Sequence, residues 1–394
     1  MIKPPFLGKE RSFLQSPSDK EMQTNSLSRI EKHQTKKVEQ RKKRWKKILL
    51  SVVSAILGAF FWLYFTETGL SMRYFMADTI IITQHRHWAA YLIGEQKLKE
   101  RVKQFEQRAD QMASVENKTQ ISIPTTAPEL PKKLDVEYET ISGNGWTGYL
   151  IKVSDPKKVK VIVTSKRGTG EKVSDMVKRT QAIAGVNAGG FVDTNWKGNG
   201  YVPIGVVVSG GQTYFNGLNS KIKQHIVGLD KDGNMVAGKY SADEFAGLRL
   251  QEAVTFSPRF IVNGVGQIPD ASSGWGIAPR TTMAQTADGT ILFTVIDGRQ
   301  KHSIGATLYD IQELLLARGA IIAANLDGGA SSVFVHKGEV MNKPASSFGE
   351  RYVPTAFLVF DDPERVINPN IWEGQKRSEM DPVTKKYRKQ LNYK

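Results

Sequence analysis

Hydrophobic residues follow three different patterns along the chain, and each pattern predicts a different structure. An uncharged, mostly apolar run occupies positions 48–65. Between positions 98 and 112 the apolar residues recur at spacings of four and three, which is typical of one helical face. From about position 134 onward, short apolar runs alternate with turns rich in Gly, Asn and Asp, as β-strands do. We therefore predict an apolar N-terminal helix, a helical stalk and a domain built mainly from strands.

The apolar run 48–65 predicts a membrane span, because 18 residues are enough to cross a bilayer. A cleavable signal peptide would lie nearer the N-terminus and end in small residues, whereas 47 residues precede this run and no such site follows it. A buried core helix is disfavoured by the basic block at 36–47 directly before it. The positive-inside rule then predicts a single-pass cell-membrane protein with a signal anchor, residues 1–47 in the cytoplasm and the C-terminal domain outside.

The basic charge is concentrated at the two ends of the chain. Of the formal net charge of +16, residues 1–47 hold 14 Lys and Arg against 5 Asp and Glu, a net +9. Residues 371–394 hold 7 against 3, a net +4. The central part is therefore almost neutral, which argues against a nucleic-acid partner. The 394-residue chain has no cysteine, which excludes disulfides, thiolate metal sites and a cysteine nucleophile.

The stalk has a short heptad pattern that permits two structures. The helix either forms a weak coiled coil, giving a possible homo-oligomer, or packs on the domain. The heptad repeat consists of Leu98, Val102, Phe105, Ala109 and Met112. A Pro- and Thr-rich linker follows the stalk helix at 121–133. The expected organisation is a basic tail at 1–47, a membrane span at 48–65, a stalk and linker at 66–133, a globular domain at 134–362 and a basic tail at 363–394.

The domain is predicted to be α+β, with a mixed or antiparallel sheet and few helices. Thr307 and Asp310 have the spacing of a capping box at the start of a helix. Gly319 is the expected left-handed stop. The predicted helices are 172–180, 241–246 and 307–318. The predicted strands include 159–164, 182–187, 205–209 and 353–360, with hairpins at 281–285 and 291–296 and at 333–336 and 339–342.

The segment Asp327-Gly328-Gly329 follows a short apolar run that has the length of a buried strand. Two glycines let backbone N–H groups approach an anion, and Ser331 adds a hydroxyl. The same letters also suit an ordinary β-hairpin turn capped by the aspartate. The segment by itself leaves both interpretations open.

Other predicted strand ends also carry polar residues beside glycines, and three of these residues are arginines. An arginine fork matches the geometry of a phosphate. Together they suggest one site for a phosphorylated ligand. These polar residues and the glycines beside them are Asn187, Gly189, Gly190, Arg280, Asp297, Arg299 and Arg351.

The ordered series of these motifs resembles the phosphodiester glycosidase family. Members of that family remove an α-linked sugar, typically N-acetylglucosamine, from a sugar-1-phosphodiester. The matching segments lie within about 180–360 and are GVNAGGF at 185–191, APRTT at 278–282, DGR at 297–299, SIGATL at 303–308, NLDGGASS at 325–332 and ERYVPTAFLV at 350–359.

The resemblance and the loop chemistry together imply a set of site residues. The leaving group is a phosphomonoester, whose second pKa is about 6, so it needs little help from a general acid. A carboxylate is still needed to activate water or to attack the sugar. We expect no cofactor and no metal ion. Asp327, then Asp297, and Arg280 are the catalytic candidates, and Asn187, Gly189, Gly190, Arg299, Gly328, Gly329, Ser331 and Arg351 are expected to bind substrate.

Three functions remain to be compared. The first is a membrane-anchored extracellular glycosidase acting on a sugar-1-phosphodiester in an anionic cell-envelope glycopolymer or exopolysaccharide. The second is a non-catalytic protein that binds such a polymer. The third, a metal-dependent phosphodiesterase, is disfavoured because none of the six histidines lies in a metal-binding pattern within 180–360.

Overall fold

A computed structural model describes residues 17–83, 85–116, 136–193, 199–217, 223–273, 275–375 and 380. The chain divides into two compact units, Met1–Met72 and Arg73–Lys394. Helix α1, Pro17–Phe65, belongs to the first unit. Its part Glu39–Phe65 is long and apolar enough to cross a membrane. The predicted apolar helix ahead of the strand domain is thus confirmed.

Residues 73–116 belong to the same compact unit as the strands. Helix α2, Glu67–Ile81, leads into a 3-10 turn at Arg86–Trp88 and the short helix α3, Ala89–Ile93. Helix α4, Glu95–Ser114, carries the heptad positions. The second of the two predicted arrangements is the observed one, because the apolar face of α4 packs on the domain. A homo-oligomer through this face would require α4 to leave the domain, and it stays a prediction.

Polar contacts fix helix α4 in place as well. Arg101 makes a two-pronged ion pair with the buried Asp78, at N–O distances of 2.7 and 2.6 Å. The guanidinium of Arg259 donates to the backbone oxygens of Met112, at 2.8 Å, and Val115, at 2.5 Å. Carbonyls at a helix C-terminus have no partner within the helix, and a cation there also suits the helix dipole. The helix is therefore clamped at its C-terminal end.

The remaining helices are short. They are α5, Val173–Thr180, α6, Phe245–Leu248, and α7, Leu308–Leu316. The predicted capping box of α7 is confirmed: the hydroxyl of Thr307 accepts from the backbone N–H of Asp310, whose carboxylate accepts from Thr307. Gly319 has φ of 78°, as expected of a left-handed stop.

The strands form three sheets, and every pairing among the described strands is antiparallel. The seven-stranded sheet has the order β1-β2-β13-β12-β14-β10-β11, with β1 Glu137–Gly143, β2 Trp146–Val153, β10 Arg259–Val262, β11 Val265–Gly266, β12 Arg280–Thr286, β13 Ile291–Ile296 and β14 Ala320–Asn325. One five-stranded sheet has the order β16-β15-β4-β17-β3, with β3 Val159–Val163, β4 Ala184–Asn187, β15 Phe334–His336, β16 Glu339–Val340 and β17 Thr355–Val359. The other has the order β6-β5-β9-β7-β8, with β5 Val206–Ser209, β6 Gln212–Asn216, β7 Gln224–Asp230, β8 Met235–Tyr240 and β9 Leu250–Thr255. The α+β class and both predicted hairpins are confirmed.

Strands β13 and β14 of the seven-stranded sheet are buried on both faces, which explains why they are almost continuously apolar. Met283 of β12 and Phe293 of β13 point into a core shared with the other two sheets. Their neighbours Ala284 and Leu292 point to the opposite face, into a second core. Successive strand residues face opposite sides, so both sets must be apolar. The second core also contains Leu98, Phe105, Ala109 and Met112 of α4 and Leu308, Ile311 and Leu315 of α7.

Candidate active site

The segment Asp327–Ser331 connects two different sheets. Strand β14 ends at Asn325 in the seven-stranded sheet, and β15 begins at Phe334 in a five-stranded sheet. The hairpin interpretation of this segment is therefore wrong, because the two flanking strands do not pair with each other. A 3-10 turn at Gly329–Ser331 makes the crossing, and Gly329 has φ of 63°, a conformation that favours glycine.

Asn187, at the end of β4, fixes the backbone at the start of this crossing. Its Nδ2 donates to the backbone oxygen of Asp327 at 2.5 Å. Its Oδ1 accepts from the hydroxyl of Thr281 at 2.8 Å and from the backbone N–H of Val333 at 3.0 Å. The side chain is fully buried, so it joins three segments of the chain rather than facing solvent.

The carboxyl group of Asp327 has an unusual environment. Burial raises its pKa to about 6, although a hydrogen bond with Ser331 and the positive charge of Arg351 act in the opposite direction. Its Oδ2 atom is buried and has no hydrogen-bond partner among the described residues. A buried carboxyl group with a raised pKa and a free oxygen is suited to proton transfer or nucleophilic attack.

Asp327 lines a cavity of about 330 Å³, which we call the inner cavity. Its floor comes from the crossing segment and from residues at the ends of β10, β12, β13 and β14. Part of its wall comes from residues 81–109, far outside the motifs. The floor includes Phe256, Ser257, Ala278, Pro279, Arg280, Arg299, Asn325, Gly328 and Gly329, and the wall includes Ile81, Ile82, Arg86, Val102, Phe105, Glu106 and Ala109.

Asn325 is a cavity residue that the sequence analysis did not select. It is 5% exposed, and its Nδ2 donates to the backbone oxygen of Ser257 at 3.3 Å. Its Oδ1 is buried without a hydrogen-bond partner in the described part of the chain. Asn325 precedes Asp327 by two positions in the same motif, which is the only signal in the sequence. The cavity thus has two free acceptors, on Asn325 and Asp327, that suit hydroxyl or amide donors of a ligand.

Arg280 and Arg299 both line the inner cavity, but their side chains are used differently. The guanidinium of Arg280 donates to the backbone oxygens of Trp275 at 2.6 Å and Gly276 at 2.8 Å. Burial, with the nearby charge of Arg299, lowers the pKa of Arg280 to about 9. Arg280 therefore holds local backbone while placing positive charge beside the cavity.

The guanidinium of Arg299 forms no ion pair with any residue in the described ranges. Arg299 has φ of 58° and follows Gly298 at the end of β13. A Cβ added at Gly329 would lie 3.4 Å from Nη1 of Arg299, at ordinary contact distance, so the guanidinium lies directly beside the crossing segment. Among the three arginines that the structure describes in the lining of this cavity, the side chains of Arg86 and Arg280 donate to backbone oxygens and that of Arg299 does not, so Arg299 is available to an anionic ligand.

Arg299 also lines a second space of about 710 Å³, which we call the outer groove. Arg351 lies in this groove, where it pairs with Asp193 at 2.6 Å and lies 4.9 Å from the ring centre of Phe191. The groove is lined by Lys172, Asp193, Asn199, Arg299, Ala330, residues 345–348, Glu350, Arg351 and Tyr352.

Asp297 is engaged on both carboxylate oxygens and lines neither space. Its Oδ1 accepts from Nδ2 of Asn342 and from the backbone N–H of Lys343, both at 3.0 Å. Its Oδ2 lies 3.0 Å from Nε2 of His302. In this arrangement Asp297 ties together the loops beside the site.

The other predicted residues lie close to the site in different roles. Gly189 packs so tightly that a Cβ there would lie 2.9 Å from Cβ of Val254. Gly190 lines a neighbouring cavity beside Phe256 and Ser257, and buried Ser331 bonds to the carboxyl group of Asp327. Within the ranges the structure describes, no group of three or more His, Asp or Glu side chains is placed to hold a metal ion.

Comparison with known proteins gives three findings. Residues 180–360 match the family model for phosphodiester glycosidases, which confirms the resemblance. A SPbeta prophage-derived uncharacterised protein of Bacillus subtilis strain 168, YomE, is 29% identical over 205 residues, which are 49% of this chain and 30% of YomE. The chain therefore spans under a third of that relative. The auto-inhibited catalytic domain of zebrafish N-acetylglucosamine-1-phosphodiester alpha-N-acetylglucosaminidase superposes with a TM-score of 0.50 and 20% identity, covering 62% of this chain and 88% of that one, and supports the fold.

Proposed function

We propose that this chain, in which residues 180–360 match the phosphodiester glycosidase family, hydrolyses a sugar-1-phosphodiester of the N-acetylglucosamine type. The observation that carries the proposal is the pairing of opposite chemistries in the inner cavity. A buried aspartate with a pKa of about 6 and a free oxygen shares the cavity with an arginine that has no carboxylate partner among the described residues. The proposed substrate is an anionic cell-envelope glycopolymer or exopolysaccharide.

Each group has a part in the proposed reaction. Arg299 binds the bridging phosphate, and Arg280 adds positive charge as negative charge grows on the leaving oxygen. The bond between the anomeric carbon and the phosphate oxygen breaks and releases a phosphomonoester. Water supplies the new hydroxyl at the anomeric carbon, and Asp327 takes its proton or first attacks the carbon itself. Asn325 accepts a hydrogen bond from a sugar hydroxyl or from the acetamido N–H.

Two residues receive different roles in this proposal from those expected at first. Asp297 is less suited than Asp327 to act on substrate, since both its carboxylate oxygens already have partners. Asn187 is buried and bonds to the backbone of Asp327, so we propose that it positions the catalytic loop and does not touch the sugar.

Arg299→Gln is expected to weaken both substrate binding and turnover, because the phosphate is charged before and during the reaction. We expect kcat/KM to fall by about 100-fold or more, the scale for losing one charge-stabilising donor. Arg249→Gln is the matched control, since Arg249 also has positive φ, 49°, but pairs with Asp232 away from both spaces. Equal values of kcat/KM for the Arg299→Gln and Arg249→Gln variants would contradict the proposal that Arg299 binds the phosphate.

We also propose that residues 48–65, the apolar part of the helix Glu39–Phe65, anchor the chain in the cell membrane, with residues 1–47 in the cytoplasm and the domain outside. Protease added to intact cells or spheroplasts should degrade the domain and spare the N-terminal segment, as seen with antibodies against each end. Detergent-treated cells, in which both parts become accessible, serve as the control. A domain that stays intact until detergent is added would show the opposite orientation.

A further inference from the structure

We propose that the outer groove is a binding subsite for the glycan attached to the leaving phosphate, so that the protein removes a terminal sugar from an extended chain. This inference rests on the proposed function. It concerns Lys172, Phe348 and Tyr352, residues to which the proposed catalytic chemistry assigns no role.

Arg299 is shared by the two spaces. It lines both the inner cavity and the outer groove. A phosphodiester carries one substituent on each side of its charged phosphorus. A phosphodiester bound at Arg299 therefore has room for one substituent in each space.

The position of Asp327 sets the direction of the bound substrate. The carboxyl group that acts on the anomeric carbon is that of Asp327, which lines the inner cavity but not the outer groove. The sugar that is released must therefore lie in the inner cavity, within reach of the free acceptors of Asp327 and Asn325. The alcohol that remains esterified to phosphate then points into the outer groove.

The outer groove combines exposed aromatic rings with charged groups. Phe348 is 91% exposed and Tyr352 is 46% exposed, which is unusual for large apolar side chains grouped beside a cavity. Nζ of Lys172 lies 5.8 Å from the ring centre of Tyr352. Aromatic faces combined with a few polar and charged groups are characteristic of small-molecule binding sites. They suit sugar rings.

The two spaces differ in size. The outer groove, at about 710 Å³, has roughly twice the volume of the inner cavity, at about 330 Å³. If the inner cavity holds one sugar, the groove has room for more than one. An extended glycan uses this space, whereas a small alcohol leaves most of it empty.

The test compares two substrates on the full chain in detergent. One is the methyl phosphodiester of N-acetylglucosamine-1-phosphate, and the other carries a disaccharide in place of the methyl group. Phe348→Ala/Tyr352→Ala should raise KM for the disaccharide diester about tenfold more than KM for the methyl diester, the scale for losing two aromatic contacts. Lys172→Met should shift the same ratio in the same direction. Tyr91→Ala, which removes an 81% exposed tyrosine outside both spaces, should leave the ratio unchanged.

The outcomes separate the two proposals. If the unmodified protein hydrolyses the methyl diester but the variants change both KM values equally, or neither, the subsite is wrong and the activity stands. If the unmodified protein hydrolyses neither diester, the proposed activity fails and the subsite fails with it. Turnover of the methyl diester also shows that each variant is folded.

Discussion

Replacing Asp327 by Asn should lower turnover of an N-acetylglucosamine-1-phosphodiester by about 100-fold or more, while the substrate still binds. The loss corresponds to removing general base help or the nucleophile. Binding should survive because Arg299 and Asn325 remain in the inner cavity. Single-turnover kinetics measure the first effect, and calorimetric titration with the intact diester measures the second.

Asp288→Asn is the matched control, because Asp288 also precedes a glycine but lies in the exposed hairpin turn between β12 and β13. Its turnover should stay normal, since Asn suits such a turn. Near-normal turnover of the Asp327→Asn variant would mean that Asp327 has only a structural role in its loop. Binding without turnover by the unmodified protein would instead favour the polymer-binding alternative.

The raised pKa of Asp327 also predicts opposite effects of pH on activity and stability. Its ordinary value is 3.8 and its value in the folded protein is about 6, so the folded state holds the proton more tightly. The resulting stability is complete below the ordinary pKa and is lost as pH rises through about 6. Activity should instead rise through the same range as the carboxylate forms. At pH 8 the melting temperature of the Asp327→Asn variant should therefore equal or exceed that of the unmodified protein. Any excess in melting temperature should shrink at pH 5.

Phe105→Ala should destabilise the domain by about 3 to 5 kcal/mol, the usual cost of removing a buried phenylalanine. Phe105 is 7% exposed and stacks on Trp275 with ring centres 5.4 Å apart. The backbone of Trp275 in turn accepts a hydrogen bond from Arg280. We therefore expect lower turnover as well as a melting temperature reduced by about 5 °C or more.

Gln107→Ala is the control on the same helix, because Gln107 is exposed. It should change stability by no more than about 0.5 kcal/mol. Urea unfolding of the two variants distinguishes the possibilities. An unchanged midpoint for Phe105→Ala would mean that α4 behaves in solution as a separate stalk.

Local patterns were sufficient to predict several individual elements. The capping box of Thr307 and Asp310 and the hairpin of β12 and β13 involve residues close together in the sequence, and both were confirmed. The ordered motifs were also specific enough to predict the family model that residues 180–360 match. Residues that are close together in the sequence determine these features, so local sequence patterns are enough to predict them.

Features that depend on distant contacts were not predicted. The heptad spacing of α4 showed that one face of the helix must be buried. No pattern in the sequence indicates whether a second copy of the chain or the domain buries it. The role of Glu106 and Arg86 in the cavity wall was missed for the same reason. An asparagine at a strand end suits ligand binding equally well, and only the fold places Asn187 against the backbone of Asp327, 140 positions later.

The clamp on the end of α4 has a consequence for biosynthesis. Arg259 and Met112 are 147 positions apart, so the helix leaves the ribosome long before the strand that secures it. At synthesis rates of about 5 to 20 residues per second, roughly 7 to 30 seconds pass between the two. During that interval the apolar face of the nascent helix has no native partner from β10. Chaperone demand during synthesis should consequently fall when Phe105 or Leu98 is replaced by a polar residue, even though the finished protein is less stable.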